Sequence, residues 1–197
     1  MQLTTKIQKA IKIASEKHAG QVRQGDGLPF IVHLFEVAWI LSNYSNDENI
    51  IVAGLIHSTV NNVDNYSLID IKNDFGELIM AMVFDVSEDK DAGGELKGRA
   101  SWEERKTKYL QHMETMSQEA MLICAADKIV NLLAISDSMK INGKELWNKL
   151  EVEPNKLFWF YGEVLKILQK RSYSKISEEL ATALKKVQGE TAKILGD

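Results

Sequence analysis

The side chains best suited to metal chemistry in this sequence are those of two histidines and one aspartate. His57 ends an apolar run, and His33 lies where the chain leaves a glycine-rich turn and enters a helical segment. Asp127 lies in a strongly apolar segment, where an unpaired carboxylate is costly to bury unless a metal, a cation or several donors balance it. Because imidazole and carboxylate groups are common metal ligands, we treat these three residues as candidate ligands, with a hydrogen-bonded core as the alternative.

The neighbours of Asp127 and the two remaining histidines have simpler interpretations. Side chains four residues apart share a helix face, so Asn131 is expected beside Asp127, whereas Lys128 is expected to point elsewhere. His18 and His112 are interpreted as surface or helix-packing residues. We therefore leave both outside the candidate site.

Helical periodicity governs the segments that must position these residues. The 197 residues include two prolines, apolar residues recur at spacings of three and four, and the alternation typical of strands is absent. The sequence therefore predicts an all-α fold. The expected helices lie around residues 7–14, 37–41, 48–57 and 117–133, with further helices beginning at Pro154 and near Ser177.

Local signals mark several helix starts and one loop. Ser67 with Asp70 and Ser101 with Glu104 match the capping box, in which the serine and the acid satisfy backbone amides reciprocally. Ser117 is expected to cap the helix that follows it. The segment 88–100 is polar and contains three glycines, so we expect a mobile loop there.

The composition argues against several classes of protein. The chain is 45% hydrophobic and 26% charged with a formal net charge of −4, which fits one globular domain over residues 1–197. It has no basic block or basic amphipathic stripe, so we expect no nucleic-acid or membrane partner. One cysteine excludes a disulfide framework, and the first residues contain no signal-peptide core. We therefore expect a cytoplasmic location, and a homo-oligomer is compatible with the sequence.

Several motifs occur in an order that is typical of one enzyme family. They are KHAGQVR at 17–23, GLPFIVH at 27–33, AGLIH at 53–57, DIKNDFGE at 70–77, VSEDK at 86–90, ERK at 104–106 and AADKIVNL at 125–132. In this set the chain resembles the HD-superfamily alarmone hydrolases, which include the hydrolase half of the RelA/SpoT homologues and the small alarmone hydrolases. The resemblance implies an HD-domain helical bundle over residues 5–170, followed by a helical extension over residues 171–197.

The resemblance also implies a metal site, usually a manganese site, with two histidines and two aspartates as ligands. The corresponding positions in this sequence are His33, His57, Asp127 and, in place of the other aspartate, Ser58. Serine is a neutral and poor ligand, so we expect Mn²⁺ to bind weakly or substoichiometrically.

The reaction of the resembling family removes pyrophosphate from the 3′ side of guanosine tetra- or pentaphosphate. The glutamate and aspartate that position or activate water there correspond here to Asn61 and Asn62, whose amides cannot accept a proton. Leu133 stands where an arginine usually follows the Asn-Leu pair. The positions interpreted as ligand-binding are Arg23, Lys90, Arg105, Lys106 and Asn131.

Three functions remain open at the level of sequence. The first is a catalytically degenerate HD domain that binds a guanine nucleotide or another phosphate compound with little turnover, because three lost acids make the pocket more favourable to phosphate. The second is an active manganese-dependent phosphohydrolase of the alarmone ppGpp or another nucleotide. The third is a structural or interaction scaffold with a vestigial pocket.

Overall fold

Helices and short connections make up the described part of the chain. The computed structural model describes residues 2–62, 66–87, 101–171 and 173–196, without the side chains of residues 61, 62 and 174, and the loop expected at 88–100 lies outside these ranges. The described residues form no β-strand, although Val22 and Pro29 make an isolated antiparallel bridge. The predicted all-α fold is confirmed. The helices are α1 Thr5–Lys17, α2 Ile31–Ser42, α3 Glu48–Ile56, α4 Thr59–Asn62, α5 Leu68–Phe75, α6 Glu77–Val86, α7 Trp102–Met113, α8 Gln118–Asn142, α9 Glu145–Leu150, α10 Pro154–Lys170 and α11 Ser174–Leu195.

Side-chain caps begin five of the described helices, and three of these caps were predicted. Both predicted capping boxes are confirmed, since Ser67 pairs reciprocally with Asp70 and Ser101 pairs with Glu104. Ser117 caps α8, which also agrees with the prediction. The caps satisfy backbone amides that have no partner within the helix, and they thereby fix where each helix begins.

Three other predicted helix ends lie within three residues of those observed, whereas α2 begins six residues before the predicted range 37–41 and α8 ends nine residues after the predicted range 117–133. Pro154 is the first residue of α10, as predicted. Helix α3 ends one residue earlier than predicted, with His57 as its C-cap. Helix α11 begins at Ser174 instead of near Ser177, because the carbonyl of Tyr173 already accepts a hydrogen bond from the amide of Ser177 at 3.0 Å.

The long helix α8 is central to the packing that positions the candidate site. It packs against α2, α3, α6, α10 and α11, and α3 packs in turn against α1, α2 and α6. One apolar cluster runs through these helices from Ile7 in α1 to Val187 in α11. Residues that are distant in sequence can therefore meet where α2, α3 and α8 converge. Within the described ranges, no helix has the length and apolar character needed to cross a bilayer.

Gly54 allows α2 and α3 to pack closely. A Cβ atom at this position would overlap Cδ1 of Leu41 and touch Cγ1 of Val37, and both side chains are fully buried. The carbonyl oxygen of Gly54 also accepts a hydrogen bond from Nδ1 of His57 at 2.8 Å. This glycine therefore affects both the distance between two helices and the orientation of one candidate ligand.

Gly54→Ala is expected to lower the free energy of unfolding by about 1–3 kcal/mol, because overpacking a filled core forces side chains out of preferred rotamers. Chemical denaturation measures the change. Gly162→Ala is the matched control, since a Cβ there meets nothing within 4 Å, and it should raise stability by up to about 1 kcal/mol. Equal changes in the two variants would mean that α2 and α3 adapt without cost.

Candidate metal centre

Three packed helices bring His33, His57 and Asp127 together. Nε2 of His33 lies 3.2 Å from Oδ1 of Asp127, and Nε2 of His57 lies 3.6 Å from the same oxygen. One ligand atom from each residue lies within 4.8 Å of the others, and the two imidazole centroids are 5.4 Å apart. Two imidazole nitrogens and a carboxylate oxygen at such separations could hold a divalent metal ion.

The backbone determines which nitrogen of His57 carries a proton. Nδ1 lies 2.8 Å from the carbonyl oxygen of Gly54, and because a carbonyl oxygen can only accept, Nδ1 is the donor. In the neutral imidazole, Nε2 therefore presents a lone pair toward the carboxylate of Asp127. Two electron-rich atoms in this arrangement repel each other unless a cation lies beside them or the ring takes up a proton. The donor set therefore fits a bound cation.

Four polar groups surround the carboxylate of Asp127. Oδ1 faces the two imidazoles and accepts a hydrogen bond from Asn131 at 3.0 Å, which confirms the predicted contact between these residues. Oδ2 accepts from Nζ of Lys128 at 2.6 Å. The prediction that Lys128 points elsewhere is wrong, because its long, flexible stem brings the ammonium group back to the neighbouring carboxylate.

Burial and charge shift the titration of these groups in opposite directions. Burial raises the pKa of Asp127, but its charged and hydrogen-bonding neighbours, with Lys128 the strongest, together lower it more, so the pKa lies well below its usual range. Burial lowers the pKa of Lys128, but Asp127 raises it more, and the result is well above the usual range. For His33, burial outweighs the hydrogen bond to Asp127 and the pKa is lowered. At neutral pH these shifts favour an ionised Asp–Lys pair beside a neutral His33.

Ser58 forms a hydrogen bond to a histidine that the sequence analysis left outside the site. Its Oγ lies 3.3 Å from Nε2 of His18, and Nδ1 of His18 lies 2.7 Å from Oε1 of Gln21. Since the Gln21 oxygen accepts, Nδ1 is the donor and Ser58 donates to Nε2. His18 is buried, so its interpretation as a surface or helix-packing residue missed this polar contact. Gln21 could have indicated this role of His18 from the sequence. The left-handed backbone at Gly20 turns the chain so that the side chain of Gln21 reaches the imidazole ring of His18.

Aromatic contacts connect His18 with the candidate ligands. Phe30 stacks on His18 with ring centroids 4.8 Å apart, and its ring centroid lies 5.4 Å from that of His33. The amide of Phe30 donates to the carbonyl of Gln21 at 2.9 Å, which closes the glycine-rich turn before α2. The turn therefore holds the first residues of α2, and with them His33, against the end of α1.

Arg23, a predicted phosphate contact, lies in the same turn with carboxylate partners of its own. Its Nη1 is 3.2 Å from Oε2 of Glu36, and its Nε is 3.6 Å from Oδ2 of Asp26. The guanidinium group is therefore already neutralised by nearby charges. A phosphate that binds Arg23 has to compete with these two carboxylates.

Lys106, another predicted ligand-binding residue, packs on aromatic rings of α7 and α10. Its Nζ lies 4.9 Å from the ring centroid of Phe160 and 5.8 Å from that of Trp102. Arg105 precedes it on α7 and is half-buried. Lys106 and Lys128 thus both lie near the ring of Phe160, since Nζ of Lys128 is 6.0 Å from its centroid.

Three predicted positions lie outside what the structure describes. They are Lys90 and the side chains of Asn61 and Asn62, although the backbone of the two asparagines ends α4. His112 is half-buried, and its Nε2 lies 3.1 Å from the backbone carbonyl of Asp85. The helix-packing interpretation of His112 is therefore confirmed.

The profile of a known family matches most of this chain. The profile described as the HD domain matches residues 10–150, which include all three candidate ligands. The chain belongs to the HD-domain family. A solved structure of a metazoan SpoT orthologue that hydrolyses ppGpp has the same fold, with a TM-score of 0.75 and 23% identity over 94% of this chain and 97% of that one.

Named relatives of this HD-domain chain include alarmone hydrolases. It is 31% identical to guanosine-3′,5′-bis(diphosphate) 3′-pyrophosphohydrolase MESH1 of Xenopus tropicalis, over 83% of this chain and 84% of that protein. It is 33% identical to the 3′-pyrophosphohydrolase of Aquifex aeolicus over 72% of this chain, and 42% identical to a putative chloroplastic GTP diphosphokinase of Oryza sativa over 39%. The matched regions span 18% and 8% of these two longer proteins.

The buried His18 of this HD domain should make its stability sensitive to mild acid. Burial is the main cause of a lowered pKa for His18, so the folded protein holds it neutral where an unfolded chain binds a proton below about pH 6.5. The contribution is therefore fully present above that pH and is lost as the pH falls. In urea denaturation at pH 7.5 and 5.5, His18→Gln should lose less stability on acidification than the wild type.

His112→Gln is the control for this pH experiment, because the ring it removes is only half-buried. The change in pH dependence should be larger for His18→Gln than for His112→Gln. If His18→Gln loses as much stability between the two pH values as the wild type does, protonation of His18 is not a source of acid sensitivity.

Proposed function

We propose that this HD-domain protein binds a guanine nucleotide with a 3′-diphosphate, or a closely related phosphate compound, and turns it over very slowly. The named relatives that cover most of the chain are 3′-pyrophosphohydrolases of guanosine-3′,5′-bis(diphosphate). The proposal gives this chain the ligand class of those relatives but not their rate. The observation that carries it is the charge balance around Asp127.

The formal charges at the candidate centre cancel. Asp127 supplies one negative charge, and Lys128 balances it at 2.6 Å. Ser58 is neutral, and its hydroxyl is directed to His18. A divalent cation that enters therefore gains little net Coulomb attraction to offset its dehydration, whereas a phosphate meets no excess of negative charge. This balance supports phosphate binding over tight metal binding.

Catalysis also needs a group that accepts a proton from water. A divalent metal held by His33, His57 and Asp127 would polarise a phosphate oxygen and lower the pKa of its bound water. Asn61 and Asn62 occupy the sequence positions of the family's acids, and their amides can orient water or phosphate but cannot take the proton. Loss of a general base costs about 10²–10⁴ in rate in typical enzymes. Weak Mn²⁺ binding would reduce the rate further.

An active manganese-dependent phosphohydrolase is the second candidate, and one observation favours it. The lone pair of His57 Nε2 and Oδ1 of Asp127 face each other at 3.6 Å, an arrangement that a cation would stabilise. If metal binding were tight, this candidate would be preferred. A scaffold role would be preferred if neither metal nor nucleotide bound.

Binding and turnover are tested with guanosine tetraphosphate on the purified protein. Calorimetry should find binding at least about tenfold tighter than for GDP, because only the first ligand carries the 3′-diphosphate. With added Mn²⁺, hydrolysis should be at least about a thousandfold slower than by the Xenopus tropicalis relative in the same assay. Turnover within tenfold of that enzyme would favour the active phosphohydrolase, and absence of binding would favour the scaffold.

Restoring the three acids should restore the metal site and the reaction. The variant Ser58→Asp, Asn61→Glu, Asn62→Asp should bind near-stoichiometric Mn²⁺ and gain measurable pyrophosphohydrolase activity, because it supplies a ligand and both proton-handling groups. Ser58→Asp alone should gain metal with little turnover. Elemental analysis and the hydrolysis assay measure the two effects separately.

A variant of matched size tests whether charge causes these gains. Ser58→Asn with Asn61→Gln introduces side chains of similar volume without carboxylates and should gain neither metal nor activity. A triple-acid variant that folds but binds no Mn²⁺ would contradict the assignment of these positions to a metal centre.

A further inference from the structure

Lys128 lies behind Asp127 in a largely aromatic environment. Its Nζ is 2.6 Å from Oδ2 of Asp127, 5.0 Å from the ring centroid of Tyr109 and 6.0 Å from that of Phe160. The side chain of Lys128 is 12% exposed, so few water molecules can solvate the ammonium group. The carboxylate and the two ring faces replace that solvation. The ammonium group is therefore held by three elements, since Tyr109 belongs to α7 and Phe160 to α10.

The two oxygens of Asp127 consequently have different environments. Oδ2 is bound to Lys128, whereas Oδ1 faces Nε2 of His33 at 3.2 Å and Nε2 of His57 at 3.6 Å. Asn131 also donates to Oδ1, which limits rotation of the carboxylate about its last bond. A metal ion between the two imidazoles would meet one carboxylate oxygen and not two.

We infer that Lys128 is a positioning residue, which fixes Asp127 so that Oδ1 alone is offered to a ligand and which supplies the positive charge that balances the carboxylate when no metal is bound. The inference rests on the proposed function only for the assignment of His33, His57 and Asp127 as metal donors. At that site, Lys128 and a metal ion compete for the carboxylate of Asp127. Lys128 thus keeps the site folded without metal and at the same time weakens the affinity for a divalent cation.

This role differs from a merely structural one in a measurable way. If Lys128 only packed between aromatic rings, removing its charge would lower stability and leave metal affinity unchanged or weaker. If it balances Asp127, removing its charge leaves a buried carboxylate that needs another cation. The metal-free protein should then lose stability, while the affinity for Mn²⁺ should rise.

The test compares Lys128→Met with the wild type. Calorimetric titration with Mn²⁺ alone measures the metal affinity, and thermal denaturation measures the melting temperature with and without Mn²⁺. Lys128→Met should melt at a lower temperature than the wild type without metal, bind Mn²⁺ at least about tenfold more tightly, and gain more thermal stability when Mn²⁺ is added. Lys128→Arg should resemble the wild type, because it retains a cation that can bind the carboxylate.

Lys140→Met is the matched control, since Nζ of Lys140 also lies 2.6 Å from a carboxylate oxygen, that of Asp137, on the exposed surface of the same helix. It should change neither melting temperature nor Mn²⁺ affinity. Unchanged Mn²⁺ affinity in folded Lys128→Met, or equally tight binding by Lys128→Arg, would overturn the inference. If Lys128→Met does not fold without metal, refolding with Mn²⁺ decides: recovery supports the inference and failure contradicts it. No nucleotide enters these measurements, so their result is independent of the nucleotide-binding experiment.

Discussion

The arrangement of the site depends on one buried carboxylate. Asp127 lies in the middle of α8, and its charge is stable there because cationic and hydrogen-bonding groups reach both of its oxygens. Those groups come from α2, from the end of α3 and from α8 itself. The packing of these helices therefore determines whether the charge can be buried. Close contact at Gly54 is one of the packing conditions that allow it.

The charge of the same carboxylate also underlies the proposed function. The centre with two aspartates that the resemblance to alarmone hydrolases implies would gather negative charge that a divalent metal offsets. Here Ser58 bonds to His18, and Lys128 forms an ion pair with Asp127. Lys128 thus places beside Asp127 a positive charge that a metal ion would otherwise supply.

Patterns of residue type and spacing predicted most of the fold and the three candidate ligands. Helix periodicity and caps are local, so Ser67 and Ser101 could be assigned from a few neighbouring residues. Lys128 could not be assigned in this way, because the direction of Cβ on a helix does not determine where the end of a four-carbon chain lies. The role of His18 was also missed, since it depends on a tertiary contact with Ser58, forty positions later in the chain.

Phe160 has a consequence for how the boundary of this domain is chosen. It belongs to α10, beyond the residues 10–150 that the HD profile matches, yet its ring lies beside the ammonium groups of both Lys106 and Lys128. A fragment cut at residue 150 would retain each candidate ligand. It would lack the ring of Phe160, which lies beside Lys128, the ion-pair partner of Asp127. Expression fragments and chimaeras of this protein should therefore include α10, and their boundary should not be placed at the limit of sequence similarity.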